Sequence, residues 1–360
     1  MKKSRKPFIL LFALPLGIAL LFCLISATVP LPHWDIDYLL FLQNIREASG
    51  GIITGIMKVF TMLGESFMPL LVGALFFWAI DKKSGEYILF CDAAATALNQ
   101  IVKLTACTYR PWIRDTRIVP AAGSKATATG YSFPSGHVSN SGTWLGGIAV
   151  HFNRKPVTVV CSIVWLLIGL SRNFLGVHTP QDVIISLLLT LAVLYAAHRL
   201  LAFADSGRKN ADVIVLICGT ALSVAMLIFA SVKSYPMDYA NGAILVDPQI
   251  MIIDGFKTAG LVLGFAAGWF IERRFIRFDT SATPIWLFVR FIVGAAILAG
   301  LYLLISHPFK TLFGEQWGGF AVSVVAIFYV MAIYPFCFNR IGRHFGKKSE
   351  KNNRSSAEPV

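Results

Sequence analysis

The chain has 360 residues, of which 56% are hydrophobic and only 14% charged, with a mean hydropathy of +0.66. A soluble domain is about one-quarter charged, so this composition excludes that class; repeated runs of about 20 apolar residues predict an all-α polytopic membrane protein. The formal net charge of +13 does not point to nucleic acid, because no aromatic-interleaved basic groove is present and the excess lies in short loops and at the two ends.

In chain order, a basic start, MKKSRK, precedes an apolar run from Phe8 to Thr28, longer than the h-region of a cleaved signal and therefore expected to be a retained first span. Trp34 to Glu47 mixes apolar residues with acids and Arg46, the pattern of an interfacial helix or of a cap over the bundle. Further spans are expected at Val59 to Ile80, Tyr87 to Leu104, His137 to Phe152, Val157 to Leu170, Val183 to Leu201, Val213 to Val232, Ile250 to Ile271, Ile285 to Ile305 and Phe320 to Phe338, about ten in all. The third carries Asp92, Asn99 and Gln100, which together with Glu65 are expected to tie helix to helix inside the bundle. Residues 1–205 read as a six-helix core and 206–340 as a transmembrane extension of about four helices. The charged stretch at 341–360 reads as a disordered cytoplasmic tail.

Cys23, Cys91, Cys107, Cys161, Cys218 and Cys337 show no metal spacing, and all but Cys107 lie in apolar runs. Cys107 has no His or acid at a spacing that would activate it. No metal or other cofactor is expected. Lys and Arg gather in alternate loops, about 20 on the side of Lys82, Lys83, Arg154, Lys155, Arg208, Lys209, Arg273, Arg274 and both ends, against about 11 opposite. Both termini are therefore expected in the cytoplasm of a multi-pass cell-membrane protein.

The opposite boundary collects Lys103 at the end of one span, His137 at the start of the next, Arg172 near the end of another and His178 at the start of the one after. Arg110 precedes Pro111, which keeps it out of helical conformation. Ions in a bilayer cost several kcal/mol each unless paired, so cations and histidines at one depth indicate a site, and three cations facing one point suit a tetrahedral dianion. Ser135 and Gly136 lead into a helix whose N-terminus adds an anion site. His178 and Asp182, four apart, share a helix face, so the carboxylate can take one ring proton and leave the other nitrogen free as a nucleophile. His137 is then left for proton transfer to the leaving oxygen and from the attacking water.

Lys103-x6-Arg110-Pro111, Pro134-Ser135-Gly136-His137 and Ser171-Arg172-x5-His178-x3-Asp182 together resemble the three-part signature of the type 2 phosphatidic acid phosphatase superfamily, across roughly the first 205 residues. The resemblance implies a metal-independent membrane phosphatase with a phosphohistidine at His178, His137 as acid and base, and Asp182 as orienter. It implies Lys103, Arg110, Ser135, Gly136 and Arg172 on the phosphate. The lysine and arginine count puts this site on the extracytoplasmic side, and its position at the membrane boundary favours a lipid substrate, such as undecaprenyl diphosphate, phosphatidic acid or phosphatidylglycerol phosphate as the resemblance implies for bacterial members. Alternatives are interfacial snorkelling for the cations taken singly, a vanadate haloperoxidase, and a non-catalytic lipid transporter. A sugar-phosphate phosphatase is a further alternative, because the extra spans loosely resemble the long form of glucose-6-phosphatases. Of the neighbouring residues, Trp112 and Tyr131 read as interface-belt aromatics, Ala121 to Gly130 as a mobile rim, and Asp254 with Lys257 as a structural ion pair.

Overall fold

A computed structural model describes residues 33–340 apart from Asn241 and Ala282, together with Ala13 and residues 15–17. The expected first span and the tail at 341–360 lie outside the described residues. The regular structure described is helical apart from a short antiparallel pair, β1 (Tyr239–Ala240) with β2 (Ala243–Ile244).

Five helices are long and apolar enough to cross a membrane among the described residues: Lys155–Phe174, Pro180–Ala204, Ala211–Val232, Pro248–Ile276 and Pro284–Arg340. The stretch expected as an interfacial helix or a cap is α1 (Trp34–Ala48). The expected span Val59 to Ile80 is not one continuous helix. It consists of α2 (Ile52–Met62) and α3 (Phe67–Leu75, continued by a π-helical turn to Ile80), bent by 57° at a break that contains Glu65. Two more expected spans, now α4 (Lys82–Ala106) and α6 (Gly136–Phe152), flank the single turn α5 (Pro111–Arg114). Both are too polar or too short for the spanning group, and both lie inside the bundle. Helices surrounded by protein need no lipid-compatible surface, and so can carry Asp92, Asn99, Gln100 and Lys103, which are all buried.

Local chemistry sets the helix starts. Asp81 caps α4 by accepting from the Ser84 amide at 2.8 Å. Prolines open α7 (Lys155–Phe174) and α8 (Pro180–Ala204), where a missing N–H costs nothing. Beyond α9 (Ala211–Val232), the same device opens α10 (Pro248–Ile271). Helix α1 packs on α7; its Arg46 donates to the Phe174 carbonyl at 2.9 Å and also to that of Val119.

The last two expected spans are the arms of one hairpin, α11 (Pro284–Phe328), broken at Gly314, whose φ of 78° and ψ of 166° suit glycine alone. Tyr334 donates to the Arg290 carbonyl at 2.7 Å across 44 residues, which in one straight helix would lie about 66 Å apart, so the chain doubles back. Core and extension pack as one body: Trp78 donates to the Val330 carbonyl at 2.9 Å, and Lys82 pairs with the buried Glu272 at 2.6 Å. Helix α4 touches α3, α6, α8 and α10, and so stands between the core and the extension.

Candidate active site

The site forms where α4, α6, α7 and α8 end at the same boundary. Thr179 and Asp182 make a reciprocal capping box that starts α8 and fixes the carboxylate. Asp182 Oδ2 accepts from the Thr179 amide at 2.8 Å and from the Ser132 hydroxyl at 2.5 Å, and lies 3.2 Å from His178 Nδ1. The proton of His178 therefore sits on Nδ1, and the Nε2 lone pair faces Arg110 Nη1 at 3.0 Å. Burial first, then Arg110, Arg172 and Lys103, holds this imidazole well below its usual range. It is neutral at neutral pH.

Arg110, extended at φ −63° and ψ 152°, is gripped by backbone: Nε donates to Gly130 O at 3.0 Å, Nη2 to Thr129 O at 2.8 Å and Nη1 to Val177 O at 3.0 Å. Residues 129–130, expected as part of a mobile rim, are thus the clamp that aims Arg110. Lys103 Nζ donates to Tyr131 O at 3.1 Å and Pro134 O at 2.8 Å, which leaves one of its three protons for a ligand.

Arg172 is fully buried and spends Nη1 on the Thr61 hydroxyl at 2.6 Å, while Nε and Nη2 have no partner. The buried Ser135 hydroxyl is likewise unpaired. Unsatisfied donors of this kind cost about 1–3 kcal/mol each, more when charged, so they mark a place prepared for an acceptor. The Ser135 amide, however, is already used, donating to the Asp182 carbonyl at 3.2 Å. The helix N-terminus then offers the amides of Gly136 and His137, which have no carbonyl one turn back inside the helix.

His137 Nε2 lies 3.2 Å from Glu65 Oε1. Glu65 does join helix to helix as expected, but its partner is this second histidine, and that role was missed. Two features of α6 hold the break in place: Trp144 donates to Leu63 O at 3.2 Å and Asn140 to Gly64 O at 3.3 Å. A Cβ on Gly64 would meet His137 Cβ at 2.9 Å, so the approach requires glycine. An acid next to a glycine within an apolar run was the signal available in the sequence.

Lys103, Arg110, Gly136, His137 and His178 line one cavity of about 940 Å³; Arg172 and Ser135 lie outside its lining. Asp254 and Lys257, paired at 3.0 Å as expected, also line it. Tyr131 is not an interface aromatic: it is fully buried against Leu104, Met251 and Phe256. Trp112 packs beside Leu175 and Val177, with Arg110 and Lys125 over its ring at 5.8 and 5.4 Å. No group of three or more His, Cys, Asp or Glu able to hold a metal gathers among the described residues.

A phosphatidylglycerophosphatase B of Bacillus subtilis is 30% identical over 146 residues, 37% of this chain and 66% of its own length. A lipid A 1-phosphatase of Rhizobium johnstonii is 30% identical over 104 residues, 29% of this chain and 42% of its own. An undecaprenyl-diphosphatase of Bacillus subtilis is 28% identical over 142 residues, 38% of this chain and 68% of its own. The chain thus spans just under two thirds of the first of these relatives and less than half of the second. No solved structure matches it. Residues 86–205 match the PAP2 superfamily, which takes in every site residue but Glu65, and residues 256–347 match the PAP2 superfamily phosphatase, transmembrane extension; the chain belongs to the PAP2 superfamily.

Proposed function

We propose that the protein is an integral membrane phosphatase that hydrolyses a lipid phosphate or diphosphate at the extracytoplasmic face, through a phosphohistidine on His178 and without a metal. The observation that carries this reading is the pairing of His178 Nδ1 with Asp182, which leaves Nε2 as a lone pair beside Arg110.

In this mechanism the phosphoryl group lies between Nε2 and Arg110, and the Nη1 proton that now reaches Nε2 turns to a phosphate oxygen. The unpaired Nε and Nη2 of Arg172, the Ser135 hydroxyl, the remaining Lys103 proton and the amides of Gly136 and His137 take the charge on the equatorial oxygens. Nε2 attacks phosphorus, a P–N bond forms, the bond to the lipid oxygen breaks, and His137, which takes up a proton when the phosphate dianion binds and is held as imidazolium beside Glu65, gives that proton to the oxygen. Water then attacks the phosphohistidine and gives its proton back to His137, and the P–N bond breaks. The sum is lipid phosphate plus water to dephosphorylated lipid plus inorganic phosphate. Asp182 stabilises the positive charge that develops on His178 during attack.

The relatives named above act, by their names, on phosphatidylglycerophosphate, lipid A and undecaprenyl diphosphate, which share a phosphate carried on a membrane lipid. The placement of the basic loops at the opposite end of the bundle supports cytoplasmic termini and an extracytoplasmic site. Phosphate release by purified protein from phosphatidic acid, phosphatidylglycerol phosphate, undecaprenyl diphosphate and glucose 6-phosphate tests the reading. The lipids should be cleaved far faster than the sugar at equal bulk concentration. Comparable kcat/KM on glucose 6-phosphate would overturn the substrate class.

A further inference from the structure

The cavity that holds His178 does not end at the catalytic residues. It continues down α4 past Asn99 and Thr96 to Asp92, and its far wall is built from the extension: Leu261 of α10, Ala295, Leu298 and Ala299 of the first hairpin arm, and Ala326 of the second. Lys103 and Asp92 are three turns apart on α4, so the cavity runs about 16 Å along that helix, close to the half-thickness of a hydrocarbon core about 30 Å deep. On the hairpin side it reaches the outer surface of the bundle, where Tyr302 is 53% and Leu303 77% exposed.

We propose that this continuation is the groove for the hydrocarbon chain of the phosphate-bearing lipid, with the C-terminal extension as its wall. The inference rests on the lipid phosphatase reading and gives the extension a part in choosing the substrate. Three features point to this occupant. The groove is continuous with the phosphate-handling residues, so a chain attached to a bound phosphate has a path along it. Its depth is that of one leaflet, so the chain stays at the level it has in the bilayer. The polar groups that α4 brings to the groove have protein partners, Asn99 with Ser139 at 3.1 Å, Gln100 with Met251 O at 3.5 Å and Asp92, at the far end, with Thr96, while Leu70, Leu71, Leu261 and Leu298 supply apolar surface. Alanine at 295, 299 and 326 keeps the space open, and helical spacing puts Ala295 and Ala299 on one face.

Filling the groove should therefore discriminate by chain length. Wild type, Ala299→Trp and Ala295→Phe are compared on hexadecyl phosphate and butyl phosphate in detergent. The proposal expects kcat/KM on hexadecyl phosphate to fall about tenfold or more, from loss of packing space, with butyl phosphate changed less than about twofold. An equal fall on both substrates in folded variants, or no fall on either, overturns it. Should the variants fail to fold, wild type decides the matter with a hexadecyl phosphate carrying a diazirine at the chain end. Labelling within 295–303 or 322–327 that excess hexadecyl phosphate blocks supports the groove; labelling confined to other helices overturns it. If wild type releases phosphate from neither ester nor from undecaprenyl diphosphate, the phosphatase reading fails, and the same crosslinking still accepts or rejects the groove.

Discussion

Glu65 Oε1 stands 3.2 Å from His137 Nε2, so that a carboxylate at the break between two helices faces the histidine that opens a third. The contact lies at the 57° bend, where Gly64 packs against His137 and α6 holds the Leu63 and Gly64 carbonyls. In the proposed mechanism the contact gives His137 an orienting acid, as Asp182 would be for His178.

Replacing Glu65 with Gln keeps the shape and removes the charge. The variant should lose about ten- to a hundredfold in kcat, part of the roughly 10²–10⁴ that a positioned acid–base group contributes, with KM within about twofold. Steady-state kinetics on a lipid phosphate checks this. Unchanged kcat would return Glu65 to a purely structural role.

Arg172 should tolerate no substitute. Arg172→Lys removes the fork whose Nε and Nη2 are unpaired and leaves a point charge; loss of an oxyanion donor costs about 10²–10³ in kcat. Thermal unfolding of the same variant separates this from misfolding, since a lysine at this position would keep its Thr61 neighbour and much of the packing.

Much of this site was legible in the sequence because its parts lie in short, ordered spacings. Pro111 after Arg110 fixes an extended residue, and His178 four before Asp182 fixes a shared helix face. Hydropathy also placed both arms of the final hairpin. What it missed depends on contacts far apart in the chain. Glu65 and His137 are 72 residues apart, and no local pattern pairs them. Tyr131 looks like an interface aromatic by position, yet Met251, from a helix more than a hundred residues later, buries it. The extension's share of the cavity was invisible for the same reason: Leu298 and Ala326 are ordinary lipid-facing residues until the hairpin packs on α3 and α10 and brings them to the cavity wall.

The pH profile should show the neutrality of His178. Protonating Nε2 removes the attacking lone pair, so activity falls as pH falls. Because burial and the neighbouring cations depress the folded-state value below the ordinary imidazole value of 6.5, the acid limb of kcat/KM assigned to this group lies well below pH 6.5. An acid limb centred at or above 6.5 that moves in Arg110→Gln would contradict this.

Asp182→Asn should leave binding largely intact while kcat falls by about 10²–10⁴, since the amide no longer selects the Nδ1–H tautomer or stabilises positive charge on the ring. Activity in chelator should match activity in Mg²⁺, because Lys103, Arg110 and Arg172 already supply the charge that a metal would, and orthovanadate should inhibit as a mimic of the five-coordinate phosphoryl group. Activity lost in chelator and restored by Mg²⁺ would contradict this part of the account.

The central claim is the covalent intermediate, and rapid-quench labelling with a radioactive lipid phosphate tests it directly. Wild type should yield an acid-labile, base-stable phosphohistidine that maps to His178, forms as fast as turnover requires and is absent in His178→Ala. Label on another residue, or near-normal turnover in His178→Ala, would contradict the account.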